Sequence, residues 1–246
     1  MKIDIPTGAA YILRQLNKHG YEAYIVGGCV RDSLLGKQPN DWDITTSAKP
    51  EEVKAIFRRT IDTGIQHGTV TVLVDREVLE DGSGRPVSHI DYAFEVTTYR
   101  VDGVYTDHRR PESVCFTASL EEDLKRRDFT INAMAYNPEQ GVIDIFGGQE
   151  DLKRGIVRCV GCASERFDED ALRILRAVRF AAQLDFVIEE ATRTAMRKQA
   201  KFLRDISAER ICTELTKMIV SKHPERLEEA YELGLTGIFL PEFDRM

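Results

Sequence analysis

Two glycines, an arginine and two aspartates near the start of the chain have the types and spacing to handle phosphate and metal. Gly27 and Gly28 stand between a short apolar run and a helical segment, so a phosphate can approach the backbone amides at the positive end of the helix. Arg31 lies within one helical turn of these glycines, and its guanidinium can donate two charge-assisted hydrogen bonds to the same phosphate. Asp41 and Asp43 are two residues apart and point the same way on a strand. Because hard cations prefer oxygen ligands, this pair predicts a Mg²⁺ site beside the phosphate.

A third carboxylate would complete such a site, and a later strand offers two candidates. Asp91 and Glu95 are four residues apart in a run rich in β-branched and aromatic residues, so they share one face of the predicted strand. We favour Glu95 as the catalytic carboxylate and keep Asp91 as the alternative. Two metals held in this way would activate an attacking oxygen and stabilise a leaving pyrophosphate. Either motif alone is also compatible with an ordinary loop or a solvated strand.

Arginines and carboxylates are combined again in two later clusters. In the first, Arg126 and Arg127 precede an apolar segment, which suits a phosphate or ribose contact. The alternative is a helix start with Asp128 as its N-cap.

The second cluster runs from Glu169 to Phe180 and is predicted to be one helix. Asp170 and Arg173 are three residues apart and therefore neighbours on it, as are Arg173 and Arg176. Arg179 lies about half a turn away from Asp170. The alternative is a salt-bridged surface helix in which Glu169 pairs with Arg173.

The helices and strands that the sequence predicts around these residues indicate an α+β fold in two parts. The first part, residues 1–148, alternates strand and helix signals and predicts a mixed sheet of about five strands flanked by helices. From residue 149 to 246 helical periodicity dominates, with Ser207 as a plausible N-cap of a late helix. The predicted helices of the first part are 6–19, 30–35 and 50–59, and its predicted strands include 24–26, 41–45, 68–74 and 88–99.

Charge and composition limit the classes of partner. The chain has 246 residues and a net charge of −7, which argues mildly against broad non-specific binding of nucleic acid but allows a local basic patch. Such a patch is suggested by Arg193, Arg197, Lys201 and Arg204, whose spacings place them on one face of a predicted helix.

Hydropathy and cysteine usage indicate the compartment. No apolar run approaches the ~20 residues of a membrane helix, and the first residues lack an apolar signal core. We therefore predict a cytoplasmic protein without a membrane partner. The five cysteines fit a reducing compartment. Cys159 and Cys162 form a C-x2-C pair, but no further ligands follow at zinc-site spacing.

Taken in order, the motifs resemble those of the class II nucleotidyltransferases, the family of bacterial CCA-adding enzymes and poly(A) polymerases. The resemblance covers nearly the whole chain: GGCVRDSLLG with DWD, then RRDFTINAM, DIFGGQEDL and EDALRILRAVRFAA, with a weaker SAER and Glu214. It implies a nucleotidyltransferase head followed by an all-α neck. In that family body and tail domains follow and grip the tRNA, and we expect this chain to stop before them.

Roles carry over only to the positions that match the family's motifs. The resemblance implies metal binding by Asp41 and Asp43, triphosphate contacts by Gly28 and Arg31, a nucleotide contact by Arg127, reading of the incoming base by Asp170 and Arg173, and further nucleotide contacts by Arg176 and Arg179.

The activity implied is template-independent addition of CCA to the 3′ end of tRNA, with CTP and ATP as substrates and Mg²⁺ as cofactor. The loop 105–112, with Asp107, Arg109 and Arg110, resembles the flexible loop that lets the family switch from C to A, which disfavours a CC-only enzyme. Poly(A) polymerases tend to carry a basic stretch where this chain has residues 62–68, so full CCA addition is favoured over A addition alone. Adenylylation of a small molecule and a catalytically silent RNA-binding module are the remaining alternatives.

Overall fold

The computed structural model describes residues 2–74, 93–103 and 114–245. These residues divide into two compact units. The first unit takes the chain up to Val101, with residues 114–125 and 132–145. The second takes residues 102–103, 126–131 and everything described from Phe146 on. The domain limits 1–148 and 149–246 stay a prediction.

A mixed sheet forms the centre of the first unit. Its seven described strands are β1 (Ala23–Val26), β2 (Ile44–Thr46), β3 (Thr60–Gly64), β4 (Thr69–Leu73), β5 (Ala93–Thr98), β8 (Met134–Asn137) and β9 (Gly141–Asp144). They lie in the order β3-β4-β5-β2-β1-β8-β9. Only β2 and β5 are parallel, and every other neighbouring pair is antiparallel. A separate two-stranded sheet joins β6 (Arg100–Asp102) to β7 (Val114–Phe116).

The mixed sheet was predicted correctly, but its strand count of about five was wrong. The strands β3, β8 and β9 were missed. Strand β8 is buried at all four positions, so it shows no alternation of apolar and polar residues. Strand β3 lies at one edge of the sheet and is largely exposed, so its sequence TIDTG has little apolar signal.

Of the four α-helices described in the first unit, the first three begin and end within three residues of their predicted limits, and the fourth was not predicted. They are α1 (Thr7–Lys18), α2 (Gly28–Leu34), α3 (Pro50–Ile56) and α4 (Leu120–Lys125). Gly20 follows α1 with a φ of +87°, a backbone conformation that favours glycine at the end of a helix. Helix α3 ends three residues before its predicted limit because the chain then enters β3.

The second unit is mostly helical, as predicted. Its helices are α5 (Gly148–Arg154), α6 (Ala163–Glu169), α7 (Leu172–Leu184), α8 (Glu190–Gln199), α9 (Ala208–Ile219), α10 (Leu227–Glu232) and α11 (Thr236–Phe239), with 3-10 turns at Ala200–Asp205, Pro224–Arg226 and Phe243–Arg245. Two short parallel strands, β10 (Ile156–Val157) and β11 (Val187–Ile188), were not predicted. Phe129 and Phe180 pack edge to face in the core, with ring centroids 5.7 Å apart.

The single helix predicted from Glu169 to Phe180 is wrong. Helix α6 ends at Glu169, Asp170 is extended, and α7 begins at Leu172. The Asp170 carboxylate accepts the backbone N–H of Leu172 at 3.1 Å. This local side-chain bond competes with continuous helix and explains the break.

Two further predictions concern the N-terminus of α9 and the cysteine pair Cys159 and Cys162. Ser207 occupies the N-cap position of α9, although its side chain makes no capping hydrogen bond. All five cysteines are free, so Cys159 and Cys162 are not bonded to each other. Among the described helices, none is both long and apolar enough to cross a membrane.

Candidate active site

The glycine turn lies where β1 gives way to α2. Gly27 is the N-cap residue of α2, with φ +86° and ψ −134°, a conformation that residues with a Cβ rarely adopt. The first backbone amides of α2 therefore lie at the end of a buried strand, where the sequence predicts a phosphate site.

Arg31 is already fixed at this turn. Its guanidinium makes a double contact with the Asp32 carboxylate at 2.8 and 3.0 Å, and it donates to Asn132 Oδ1 at 2.6 Å. Gly28 lies under the same group, since a Cβ at Gly28 would stand 3.5 Å from Arg31 Nη2. Asn132 was not singled out from the sequence, although it stands within the RRDFTINAM motif. The glycine turn therefore holds the Arg31 guanidinium in a defined orientation.

Asp41 and Asp43 precede β2 instead of lying within it, so the predicted strand 41–45 was placed too early. Strand pairing becomes regular only from Ile44, although the Asp43 carbonyl already accepts the N–H of Val26 at 3.0 Å. The expected alternation nevertheless holds, because Asp41 and Asp43 are exposed while Trp42 and Ile44 are buried. The two carboxylates therefore lie on the same side of the chain, directly beside the end of β1.

Glu95 lies on the neighbouring strand, level with Asp43. Strands β2 and β5 are parallel, and Ile44 is paired with Val96. Asp43 and Glu95 come one residue before Ile44 and Val96, respectively. Both are exposed, so they lie on the same face of the sheet. On its other side Glu95 is paired with Thr71 of β4. The alternative carboxylate, Asp91, lies outside the described residues.

One open cavity of about 490 Å³ brings these groups together. It is lined by Asp41, Trp42, Asp43, Thr71, Ala93 and Glu95. Sequence reasoning missed Thr71, which is one of two threonines in β4 and carries no distinguishing pattern. The cavity is therefore bordered by three carboxylates and a hydroxyl, all of them hard oxygen ligands.

The oxygen atoms that line the cavity suit a divalent cation whose other ligands come from a substrate phosphate. Throughout residues 2–74, 93–103 and 114–245, no three Asp, Glu, His or Cys side chains form a group that could hold a metal ion by themselves. Mg²⁺ is commonly bound by one or two carboxylates together with substrate phosphates and water. Asp41 and Asp43 supply carboxylates of that kind at the cavity.

In the second unit, Asp128 binds an arginine and also accepts the backbone N–H of Phe129 at 2.8 Å. Its Oδ2 accepts from Arg176 Nε at 2.8 Å and from Nη2 at 2.5 Å. Attraction to Asp128 is the main cause that raises the pKa of Arg176 above its usual value. Arg127 is half-buried next to this pair.

Asp170 and Arg173 do not pair with each other. Asp170 accepts from Arg210 of α9 at 2.7 and 3.3 Å. Arg173 donates to Glu169 at 2.5 Å and to the carbonyl of Arg126 at 3.0 Å. The Glu169–Arg173 pair of the alternative interpretation therefore forms. Arg210 lies in the SAER element and was not given a role from the sequence.

Arg179 lies inside the second unit. Its guanidinium binds Glu214 at 2.5 Å and Gln183 at 2.7 Å, and it lies 3.9 Å from the centroid of the Phe180 ring. Burial lowers the pKa of Arg179, while Glu214 acts in the opposite direction. Arg179 thus joins α7 to α9, and its contact with a nucleotide stays a prediction. The loop residues Asp107, Arg109 and Arg110 lie outside the described residues.

Two family models match the chain. The model described as "Poly A polymerase head domain" matches residues 23–158, and the model described as "Probable RNA and SrmB- binding site of polymerase A" matches residues 185–246. The first match contains the glycine turn and the carboxylates that border the cavity.

Curated relatives and solved structures agree with these matches. The CCA-adding enzyme of Geobacillus kaustophilus (strain HTA426) is 50% identical over 228 residues, which are 93% of this chain and 52% of that enzyme. The crystal structure of the Bacillus stearothermophilus CCA-adding enzyme in complex with CTP superposes with a TM-score of 0.81 at 45% identity, covering 94% of this chain and 53% of the other. The Thermotoga maritima CCA-adding enzyme complexed with tRNA gives a TM-score of 0.73 at 27% identity, covering 95% and 52%. The chain spans about half the length of the curated relatives it matches.

Proposed function

The chain belongs to the family of the poly(A) polymerase head domain, and from this we propose that it adds CCA to the 3′ end of tRNA from CTP and ATP, without a nucleic-acid template. The observation that carries the proposal is the cavity lined by Asp41, Asp43 and Glu95, which lies beside the end of β1, where the Asp43 carbonyl accepts the N–H of Val26. Relatives named as CCA-adding enzymes, and solved relatives with CTP and with tRNA, support the choice of reaction.

Asp41 and Asp43 are proposed to hold divalent cations, taken to be Mg²⁺, with Glu95 as the third carboxylate. When bound there, such cations make a hydroxyl more acidic and neutralise the charge that develops on phosphate oxygens. The chain itself contributes fixed negative charge on one side of the cavity, which attracts the cation, and the cation in turn offsets the repulsion between these carboxylates and a triphosphate.

The glycine turn is proposed to hold the triphosphate. Backbone N–H groups at Gly27 and Gly28 and the guanidinium of Arg31 are donors that suit phosphate oxygens. The 3′ hydroxyl of the tRNA then attacks the α-phosphorus in line, the bond to the β-phosphate oxygen breaks, and pyrophosphate leaves. Positioning and charge stabilisation are the protein's contribution to this step, because no side chain becomes covalently attached.

Selection of the base is proposed to belong to Asp170 and Arg173. A carboxylate offers acceptors and a guanidinium offers donors, so the two together complement the polar edge of cytosine and, after a small shift, that of adenine. Further nucleotide contacts are proposed for Arg127, Arg176 and Arg179. Because tRNA is the substrate, we place the protein in the cytoplasm.

The direct test supplies tRNA that lacks its last three nucleotides, with labelled CTP and ATP separately and together. We expect two cytidines and then one adenosine per tRNA, and no incorporation by the Asp43→Asn variant. Addition of adenosine only to tRNA that already ends in CC would identify an A-adding enzyme. Continued addition of adenosine beyond the first would identify a poly(A) polymerase, and no incorporation at all would leave an RNA-binding module.

A further inference from the structure

Thr71 lines the cavity of the candidate active site, but the proposed reaction gives it no role. It lies on β4, directly opposite Glu95 of β5. Because residues paired across two antiparallel strands point to the same face of a sheet, the Thr71 side chain lies on the face that carries Glu95. Asp41 and Asp43 line the same cavity. A hydroxyl therefore lies next to the carboxylates where the new bond is to form.

Thr71 stands at one end of a row of residues that crosses the sheet in the order β1-β2-β5-β4. The N–H of Val26, at the end of β1, donates to the carbonyl of Asp43 at 3.0 Å. Asp43 is level with Glu95, because the next residues, Ile44 and Val96, are paired. Glu95 is in turn paired with Thr71. The glycine turn that follows Val26 and the Thr71 side chain therefore lie on opposite sides of the carboxylates.

The geometry of phosphoryl transfer assigns the Thr71 side of this row to the tRNA, and this step rests on the proposed function. The attacking and leaving oxygens lie roughly in line, on opposite sides of the phosphorus. If the glycine turn holds the β- and γ-phosphates, pyrophosphate leaves towards β1. The attacking 3′ hydroxyl then enters from the side of β5 and β4. We therefore expect the last ribose of the tRNA over Glu95 and Thr71.

The side chains of Glu95 and Thr71 suit the two neighbouring hydroxyls of a ribose. Residues directly opposite each other on antiparallel strands have Cβ atoms about 4.5–5.5 Å apart. A carboxylate accepts hydrogen bonds, whereas a threonine hydroxyl both donates and accepts them. The Thr71 hydroxyl lies 2.9 Å from the hydroxyl of Thr63 on β3. This contact orients Thr71 and uses only part of its hydrogen-bonding capacity.

We propose that Thr71 binds the 2′ hydroxyl of the last nucleotide of the tRNA and so restricts the reaction to RNA ends. Thr63 is a positioning residue that acts through Thr71. The 2′ hydroxyl is the group by which a protein distinguishes RNA from DNA. A site built to bond a hydroxyl rejects an analogue that lacks it, because a buried polar group of the protein is then left without a partner. Thr71 is 8% exposed, so water replaces the lost contact poorly.

The test uses two tRNAs that end in CC and differ only in the last sugar, which is ribose in one and 2′-deoxyribose in the other. We measure kcat/KM for addition of adenosine with the parent and with Thr71→Val, which keeps the branched shape and removes the hydroxyl. The preference for the ribose end should be about fivefold or more greater in the parent than in the variant. The missing 2′ hydroxyl also changes the reactivity of the 3′ hydroxyl, but equally for both proteins. The ratio of the two preferences therefore isolates the contact.

Three further variants separate the contact from the structure of the strand. Thr71→Ser keeps the hydroxyl and should keep the parent's preference. Thr63→Val should reduce the preference in part and change nothing further when combined with Thr71→Val. Thr69→Val is the matched control. Thr69 lies two residues earlier on β4 and contacts the hydroxyl of Thr97 at 3.0 Å, but it is not among the described residues that line the cavity. This variant should behave as the parent does.

The possible failures are distinguishable. Equal use of both tRNAs by the parent, or an unchanged preference in Thr71→Val, would overturn the inference and leave the proposed reaction standing. If Thr71→Val instead changes the preference for ATP over 2′-deoxy-ATP, Thr71 contacts the incoming nucleotide and the assignment to the tRNA is wrong. If the parent extends neither tRNA, the proposed reaction is itself wrong, and so is the inference that rests on it.

Discussion

Arg210, forty residues further along the chain, holds the Asp170 carboxylate at 2.7 Å, and Arg173 is turned instead towards Glu169. The two residues proposed to read the base are thus held by separate partners. Each keeps a planar polar group in a fixed direction, which is what selection of a base edge requires. Because Asp170 is the ion-pair partner of Arg210 within the described part of the chain, we expect Arg210 to act by positioning.

Removing either base-reading group should damage the choice of nucleotide more than catalysis as such. For Asp170→Ala or Arg173→Ala, a polar base edge loses a partner worth roughly 1–3 kcal/mol, or about 5- to 150-fold in discrimination. The measurement is kcat/KM for each of CTP, ATP, UTP and GTP. Arg226→Ala, which removes an arginine paired with Asp185 at the surface, is the control and should leave the ratios unchanged.

The positioning role of Arg210 makes a separate prediction. Arg210→Ala should lower discrimination in the same direction as Asp170→Ala, and the double variant should be no worse than Asp170→Ala alone. Arg210→Lys should restore part of the discrimination, since an ammonium group can still reach the carboxylate. Additive losses in the double variant would mean that Arg210 contacts the substrate itself.

The carboxylates at the first cavity should be essential for turnover but not for folding. Asp41→Ala and Asp43→Ala should each reduce kcat by at least about a thousandfold, because the proposed cation site loses a ligand. Both side chains are exposed, so the melting temperature should stay within ~2 °C of the parent. Glu51→Gln, an exposed acid on α3, serves as the control. Turnover near the parent level in either aspartate variant would remove the metal assignment.

The sequence predicted that Asp41 and Asp43 share one side of the chain better than it predicted the limits of the strand that follows them. The alternation of Asp41 and Asp43 with buried neighbours depends only on local spacing, and it is correct although β2 begins at Ile44. The pairing of Ile44 with Val96, which places Glu95 beside Asp43, is a contact over 52 residues that no local pattern specifies. The break at Asp170 was missed for a similar reason. The apolar and charged residues keep helical spacing through Asp170. The hydrogen bond from the backbone N–H of Leu172 to the Asp170 carboxylate, which competes with the helix, cannot be predicted from that spacing.

The ion pair between Arg179 and Glu214 should dominate the stability of the helical unit. Both side chains are more than nine-tenths buried, so removing one partner leaves an uncompensated charge. Glu214→Ala should cost about 3–5 kcal/mol in the free energy of unfolding, measured in urea. Lys54→Ala, which breaks an exposed pair with Asp62, should cost less than about 1 kcal/mol.

A double replacement tests the origin of that cost. Arg179→Met combined with Glu214→Leu should recover most of the stability lost in Glu214→Ala, because neither charge then remains buried. If the double variant binds CTP as the parent does, Arg179 is a structural residue. A large rise in KM for CTP in the stable double variant would instead support its proposed nucleotide contact.

The basic residues from Arg193 to Arg204 lead to the last prediction. They were expected on one helix face, but α8 ends at Gln199 and Lys201 and Arg204 lie in a 3-10 turn. Arg193 is engaged with Glu229 and Glu232, at 3.5 and 2.8 Å. Arg197, Lys201 and Arg204 remain exposed, within the segment that matches an RNA-binding family model.

Replacing Arg197 and Lys201 with alanine should therefore weaken tRNA binding without changing its specificity. Contacts to phosphates position the RNA and do not read its sequence, so the KM should rise by a similar factor for every tRNA tested. Each lost phosphate contact should also reduce the slope of log affinity against log salt by about one, or about two for the pair. The KM for CTP should stay at the parent value. Lys217→Ala combined with Lys222→Ala removes the same charge from exposed positions on and after α9, and should leave the salt slope unchanged. If both double variants flatten the slope equally, net charge is responsible and the basic residues from Arg193 to Arg204 form an ordinary solvated surface.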